Sequence, residues 1–172
     1  MRNFINIVEN AHTPPERELG DEPHYDALAQ TGFFGAQGAG CVFVSRTTGR
    51  IMLVLRSASV EQPFTWGNCG GAHHTEESPI EAARREAFEE TGFSGALELK
   101  PALVFQSGTF RYSNFIAVVE EEFIPDLGWE ADDYVWCTLS DLPHPLHFGI
   151  EALLADHASV SILKSLQPQI EG

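Results

Sequence analysis

An α/β fold is predicted by two observations. Short apolar, β-branched runs alternate with turn residues, and one sharply bounded helix lies among them. Cys41-Val42-Phe43-Val44 and Ile51-Met52-Leu53-Val54-Leu55 flank Thr47-Thr48-Gly49-Arg50 and read as a hairpin. Residues 57–77 read as a loop. The helix spans 79–91: Ser78 is its N-cap, Pro79 its first residue, and Glu81 completes a capping box. Gly92 stops it. Strands follow near 101–106, 114–120 and 133–138, and Asp141-Leu142-Pro143 closes the last. Residues 148–166 carry Ile150, Leu153, Leu154, Ile162, Leu163 and Leu166 at helical spacing. An N-terminal arm, 1–34, polar and rich in Pro, Glu and His across 9–31, precedes a domain over 35–172.

Composition limits the function. With 172 residues, 43% of them apolar, the chain can build one real core. A net charge of -15 repels a nucleic-acid backbone, so long nucleic acid is not an expected partner. A small phosphorylated ligand stays compatible if a metal screens the charge. Cys41, Cys69 and Cys137 are widely spaced and suit free thiols in a reducing compartment. No basic-then-apolar leader and no apolar run of roughly 20 residues is visible. The expectation is a cytoplasmic protein with no membrane partner.

The helix carries the chemistry. At about 100° per residue, Ile80, Ala83, Ala87 and Thr91 fall on one side, with Phe88 at its edge. That side is expected to face the core. Glu86, Glu89 and Glu90 share the neighbouring arc with Ala82. Like charges three and four residues apart repel by roughly 0.2–0.5 kcal/mol per exposed pair. Glu89 and Glu90 also sit at the helix end that prefers cations. A solvated acidic face is one reading. A bound Mg²⁺ or Mn²⁺, held by oxygen ligands, is the other.

The pattern Gly71-x5-Glu77-x7-Arg85-Glu86-Ala87-x-Glu89-Glu90-x-Gly92-Phe93 resembles the Nudix box. Every polar and glycine position matches, and Ala87 is smaller than usual in its aliphatic slot. The resemblance implies an α/β/α sandwich around a mixed β-sheet, with the box forming a loop–helix–loop. It implies Mg²⁺-dependent hydrolysis of a nucleoside diphosphate linked to another group. ADP-ribose, dinucleoside polyphosphates, nucleotide sugars and nucleoside triphosphates all fit that description. Glu86, Glu89 and Glu90 would be metal ligands, and the Gly71 carbonyl would approach the metal. Arg85 would orient the carboxylates, and Glu77 would be structural or an outer ligand. The same resemblance marks Glu130 as a metal ligand or general base, with Asp132 and Asp133 as competitors.

Other residues are weaker candidates. Arg56 ends the second hairpin strand, and its fork matches phosphate oxygens; a surface role is the alternative. Arg46 and Arg111 are further candidates for that task. Phe33, Phe34 and Phe110 could stack on a base or pack in a core. His73 and His74 follow the glycines and either bond substrate or supply loop polarity. His144 and His147 read as turn residues, and Cys69 as a buried inert thiol. The arm or the C-terminal helices could build a homodimer. Two alternative functions stand beside hydrolysis. One is isomerisation of an isoprenoid diphosphate, because Thr65-Trp66-Gly67-Asn68-Cys69 loosely resembles a segment of that enzyme. The other is a catalytically silent nucleotide-binding module.

Overall fold

The computed structural model describes residues 37–74 and 76–168. The predicted arm, including Phe33 and Phe34, lies outside the described residues. In chain order come β1 (Gln37–Ser45), β2 (Ile51–Arg56), β3 (Trp66–Gly67), β4 (Cys69–Ala72) and α1 (Pro79–Thr91). β5 (Glu98–Ser107), β6 (Phe110–Val119), β7 (Ala131–Cys137), α2 (Phe148–Ala155) and α3 (His157–Ser165) complete them.

The strands form one mixed, seven-stranded sheet. β1 runs parallel to β6 along its whole length, from Gln37↔Arg111 to Ser45↔Val119. β5 and β6 form an antiparallel hairpin, and β2 pairs antiparallel with β3 and β7. Phe43 and Val44 of β1 pair with β2, while Gly38 to Cys41 pair with β4. Two strands therefore share one edge of β1, and the chain crosses from the β2 side to the β1 side through Asn68.

Side-chain alternation assigns the two faces. Ala39, Cys41 and Phe43 join Met52, Val54, Phe115 and Ala117 beneath Ala82, Ala83 and Ala87 of α1. Val42, Val44, Ile51, Leu53, Ile116 and Val118 pack on Ile150, Leu153 and Leu163 of the C-terminal helices. This is the expected α/β/α sandwich. Strands buried on both faces read as continuous apolar runs, and that is how β1 and β2 appear in the sequence.

The helix limits hold. Ser78 accepts from the Glu81 N–H, Glu81 accepts from the Ser78 N–H, and Gly92 sits at φ 66°. The predicted core side of α1 holds for Ala83, Ala87 and Thr91, which are buried, and needs correction at its edges. Ile80 is 42% exposed and Phe88 56% exposed, whereas Ala82 and Glu86 are buried. Alanines let the helix lie close to the sheet, and that orientation carries the Glu86 carboxylate inward. Two further expectations change. The 57–77 loop contains β3 and β4, too short and glycine-rich to show a strand pattern. The 148–166 stretch is two helices, broken where Asp156 leaves the helix and caps α3 through the Ser159 N–H.

β5 bulges between Pro101 and Val104. The Leu103 N–H donates to Ser159 Oγ at 3.0 Å, and Asn114 donates to the Leu103 carbonyl at 2.9 Å. Ser159, fully buried, also donates to Asp156. Ser159→Ala would strand the Leu103 N–H and should cost about 1–3 kcal/mol. A urea melt reads the loss, and an unchanged midpoint would show the bulge to be satisfied otherwise.

Candidate active site

Arg85 organises the box. Its Nε and Nη2 donate to the two Glu77 oxygens at 2.9 and 3.0 Å. Nη1 donates to Glu86 at 2.7 Å and Glu89 at 3.0 Å, and Nη2 also donates to the Ala72 carbonyl at 3.0 Å. One guanidinium thus ties the incoming loop, the end of β4 and the acidic arc of α1 together. The Glu77 carboxylate also accepts from the His74 N–H at 3.0 Å. The Arg85 bonds hold Glu77 well below the usual carboxylate range, at about 2. Glu77 is therefore a structural partner of Arg85.

The glycines serve close approach. The Gly70 N–H donates to Glu90 Oε1 at 2.7 Å. A Cβ on Gly70 would lie 2.6 Å from the Ala39 carbonyl oxygen and would strike the Tyr112 hydroxyl. A Cβ on Gly71 would lie 2.7 Å from Glu86 Oε1. Only a bare backbone lets β4 run beside these carboxylates.

Glu130 is brought to the same place from far along the chain. The Ser57 N–H donates to the Glu130 carbonyl at 2.8 Å, and the Gly128 N–H reaches the Glu90 carbonyl at 3.4 Å. Burial and the neighbouring Glu130 and Glu86 charges push Glu90 up, while the Gly70 N–H and Arg56 pull it down. Burial also raises Glu130, against the pull of Arg56. Burial raises Glu86 to about 7, despite Arg85 beside it. The competitors Asp132 and Asp133 are exposed.

Arg56 faces this group. Its Nε donates to the Glu61 carbonyl at 2.8 Å, and its charge acts on both Glu90 and Glu130. Arg46 does not. It follows β1 at the strand's other end, where it pairs with Glu98 at 3.2 Å and Glu120 at 3.4 Å. Gly70 and Gly71 pair with Gly40 and Ala39, so six or seven steps along the chain (46 − 40 and 46 − 39), at about 3.3 Å each, separate Arg46 from them. Arg111 is exposed beside Gln37. Phe110 is buried at 5% exposure, in ring contact with Phe105 and Tyr112. His74 is exposed, and His73 Nε2 is buried without a hydrogen-bond partner among the described residues. Burial pushes the Cys41 and Cys69 thiols up, as inert buried thiols require.

Tyr112, hydrogen-bonded to Asn68, reaches the glycine strand without any signal in the sequence. The Tyr112 ring covers Gly38, and its hydroxyl lies on Gly40 and Gly70. Only the register of β6 on β1 places it there.

The donor set suits a hard divalent cation. Glu86 is buried and Glu90 and Glu130 are partly buried; burial raises all three, and the Glu130 charge adds to this at Glu86 and Glu90. Arg85 and the Gly70 N–H already bind several of these oxygens. Among the described residues, no three acidic, His or Cys groups stand at closed ligand spacing. A cation would have to draw Glu86, Glu89 and Glu90 together.

This loop–helix–loop on an α/β/α sandwich matches the NUDIX domain family over residues 36–157, and the chain belongs to that family. It is 27% identical over 150 residues to a nucleoside triphosphate pyrophosphatase/Nudix hydrolase fusion protein of Bifidobacterium longum (strain NCC 2705). That match covers 80% of this chain and 29% of the relative. It is 30% identical over 102 residues to the isopentenyl-diphosphate Delta-isomerase of Streptomyces coelicolor (strain ATCC BAA-471 / A3(2) / M145), covering 49% of each. The chain thus spans half or less of the length of these relatives. The crystal structure of RenU, a Nudix hydrolase from M. smegmatis, superposes with a TM-score of 0.61 at 23% identity. It covers 81% of this chain and 92% of that one. Among the described residues, no helix is long and apolar enough to cross a membrane.

A raised carboxyl binds more protons folded than unfolded. The stability from Glu86 is full below 4.5 and is lost as pH rises through about 7. Glu90 and Glu130 act in the same direction. Burial lowers His147 to about 4 and also lowers His73, which opposes the carboxyls between about pH 5 and 6.5. The Glu86 part is therefore read against Glu86→Gln: in EDTA the parent should lose up to about 3 kcal/mol more than that variant between about pH 5 and about pH 8. Mg²⁺ should narrow that gap. Urea melts of parent and variant at both pH values measure it, and the same pH dependence in the two metal-free proteins would contradict the buried Glu86 charge.

Proposed function

We propose that this chain is a divalent-metal-dependent pyrophosphohydrolase that cleaves the diphosphate linkage of a nucleoside diphosphate derivative. The observation that carries the reading is the gathering of Glu86, Glu90 and Glu130 beside Gly70-Gly71, with Arg85 bracing Glu86 and Glu89. Bound Mg²⁺, or Mn²⁺, lowers the pKa of a water and screens phosphate oxygens. Glu86, Glu89, Glu90 and the Gly71 carbonyl are the groups to hold it. Glu130, partly buried and raised in pKa, suits receipt of the proton from water. Arg56 suits the phosphate oxygens. Phe34 is retained as a candidate base-stacking residue.

The substrates are ADP-ribose, a dinucleoside polyphosphate, a nucleotide sugar or a nucleoside triphosphate. Buried free thiols fit the cytoplasm. The isomerase reading is disfavoured because Cys69 is buried and its thiol is pushed well up. The intact glutamate set speaks against a silent module.

A hydrolysis panel over those four substrate classes with Mg²⁺, read by product chromatography, tests the reading. Release of products from one class is expected. Double-bond movement in isopentenyl diphosphate without phosphate release would replace it. Glu90→Gln should lower turnover at least about 10²-fold with the circular dichroism spectrum retained. Metal-dependent turnover at the parent rate in that folded variant would count against Glu90. Glu130→Gln should lower kcat about 10²-fold and leave KM near the parent value. An unchanged kcat would remove Glu130 as the base.

A further inference from the structure

His147 does more than close a turn. Residues 145–147 lie against β3: the Trp66 N–H donates to the Pro145 carbonyl at 2.9 Å, and the His147 N–H donates to the Trp66 carbonyl at 2.8 Å. Leu146 pairs with Trp66, and both pack in the core beneath α2 and α3. Alternation therefore turns His147 toward the opposite face, where Arg56 lies. A Cβ built on Gly67 would sit 3.4 Å from His147 Cβ and 3.5 Å from Arg56 Cδ. Glycine at 67 leaves these two side chains adjacent. The Arg56 charge acts on His147, Glu90 and Glu130 alike, so His147 stands on the cationic flank of the acidic cluster.

The α2 cap decides which nitrogen carries the proton. His147 Nδ1 accepts from the Gly149 N–H at 3.1 Å. Nδ1 is thus a bare lone pair, and a neutral ring must hold its proton on Nε2. Burial, with Arg56 next to it, holds the imidazole well down, at about 4, so the ring is neutral at physiological pH. No hydrogen bond joins Nε2 to a described residue, and His147 is only partly buried. A protonated nitrogen cannot ligate a metal. It can donate to an anionic oxygen.

Resting on the pyrophosphohydrolase reading, we infer that His147 is a substrate-binding residue: its Nε2–H, fixed by the α2 cap, donates beside Arg56 to a non-bridging oxygen of the diphosphate. The pair divides the task. Arg56 supplies charge, and His147 supplies direction at a fixed place, because cap and ring contact with Phe148 at 4.6 Å restrain the imidazole.

Two substitutions separate the ring's two duties. His147→Asn puts an acceptor near Nδ1 and removes Nε2; His147→Gln puts a donor near Nε2 and removes the cap. Binding of Mg²⁺-methylenediphosphonate, a non-hydrolysable P–C–P probe, is measured by calorimetry alongside Tm. His147→Asn should bind about tenfold more weakly with Tm retained, and His147→Gln should keep affinity while Tm falls. Parent-like binding by His147→Asn, equal weakening in both variants, or no probe binding by the parent chain would each overturn the inference. So would ¹⁵N spectra showing the proton on Nδ1. Probe binding needs no turnover, so failure of the hydrolysis panel leaves this result readable on its own.

Discussion

Arg85 is the constraint on which the site depends. Its side chain is 19% exposed, and its guanidinium bonds Glu77, Glu86, Glu89 and the Ala72 carbonyl. Those partners come from the loop, from α1 and from β4. Breaking one partner of such a partly buried network leaves the others uncompensated, which costs more than the pair contributes when intact. Arg85 therefore offsets part of the repulsion that Glu86 and Glu89 impose on their own helix. It also fixes the distance between α1 and the glycine strand.

The second constraint is small side chains. Ala82, Ala83 and Ala87 seat α1 on the sheet, and Gly70 and Gly71 bring backbone against Glu90 and Glu86. Larger residues would hold helix and strand apart and leave the carboxylates in water. In water their pKa values would be ordinary, and the cluster would have little demand for a cation. The burial that destabilises these charges also makes the place suitable for a metal and a diphosphate.

The sheet's divided edge provides the other flank. β4 takes the glycine end of β1 and β2 takes the far end. Arg56, at the end of β2, and Glu130, just before β7, arrive beside Glu90 through the Ser57 and Gly128 hydrogen bonds. Their positions in the chain are 34 and 40 residues from Glu90, counted as 90 − 56 and 130 − 90. No local pattern announces such a meeting. Arg46, with the same side-chain chemistry as Arg56, stands at the wrong end of the hairpin.

The sequence by itself determined the features governed by local rules. Ser78, Pro79, Glu81 and Gly92 satisfy backbone groups within one turn, so the limits of α1 were legible. The box spacing identified Glu86, Glu89, Glu90 and Arg85, because a helix fixes their mutual arrangement. Ala83, Ala87 and Thr91 are buried as helical spacing requires, but only the tertiary structure decided how far that face extends, leaving Ile80 and Phe88 exposed and drawing Ala82 and Glu86 inward, since close packing favoured alanine over larger apolar side chains. It decided the short β3 and β4, whose hydrogen bonds go to distant strands. It also placed Glu130, Arg56, Tyr112 and His147. The physical reason is range: capping and helical spacing act within a few residues, whereas register and burial are set by strands that meet only after the chain has folded.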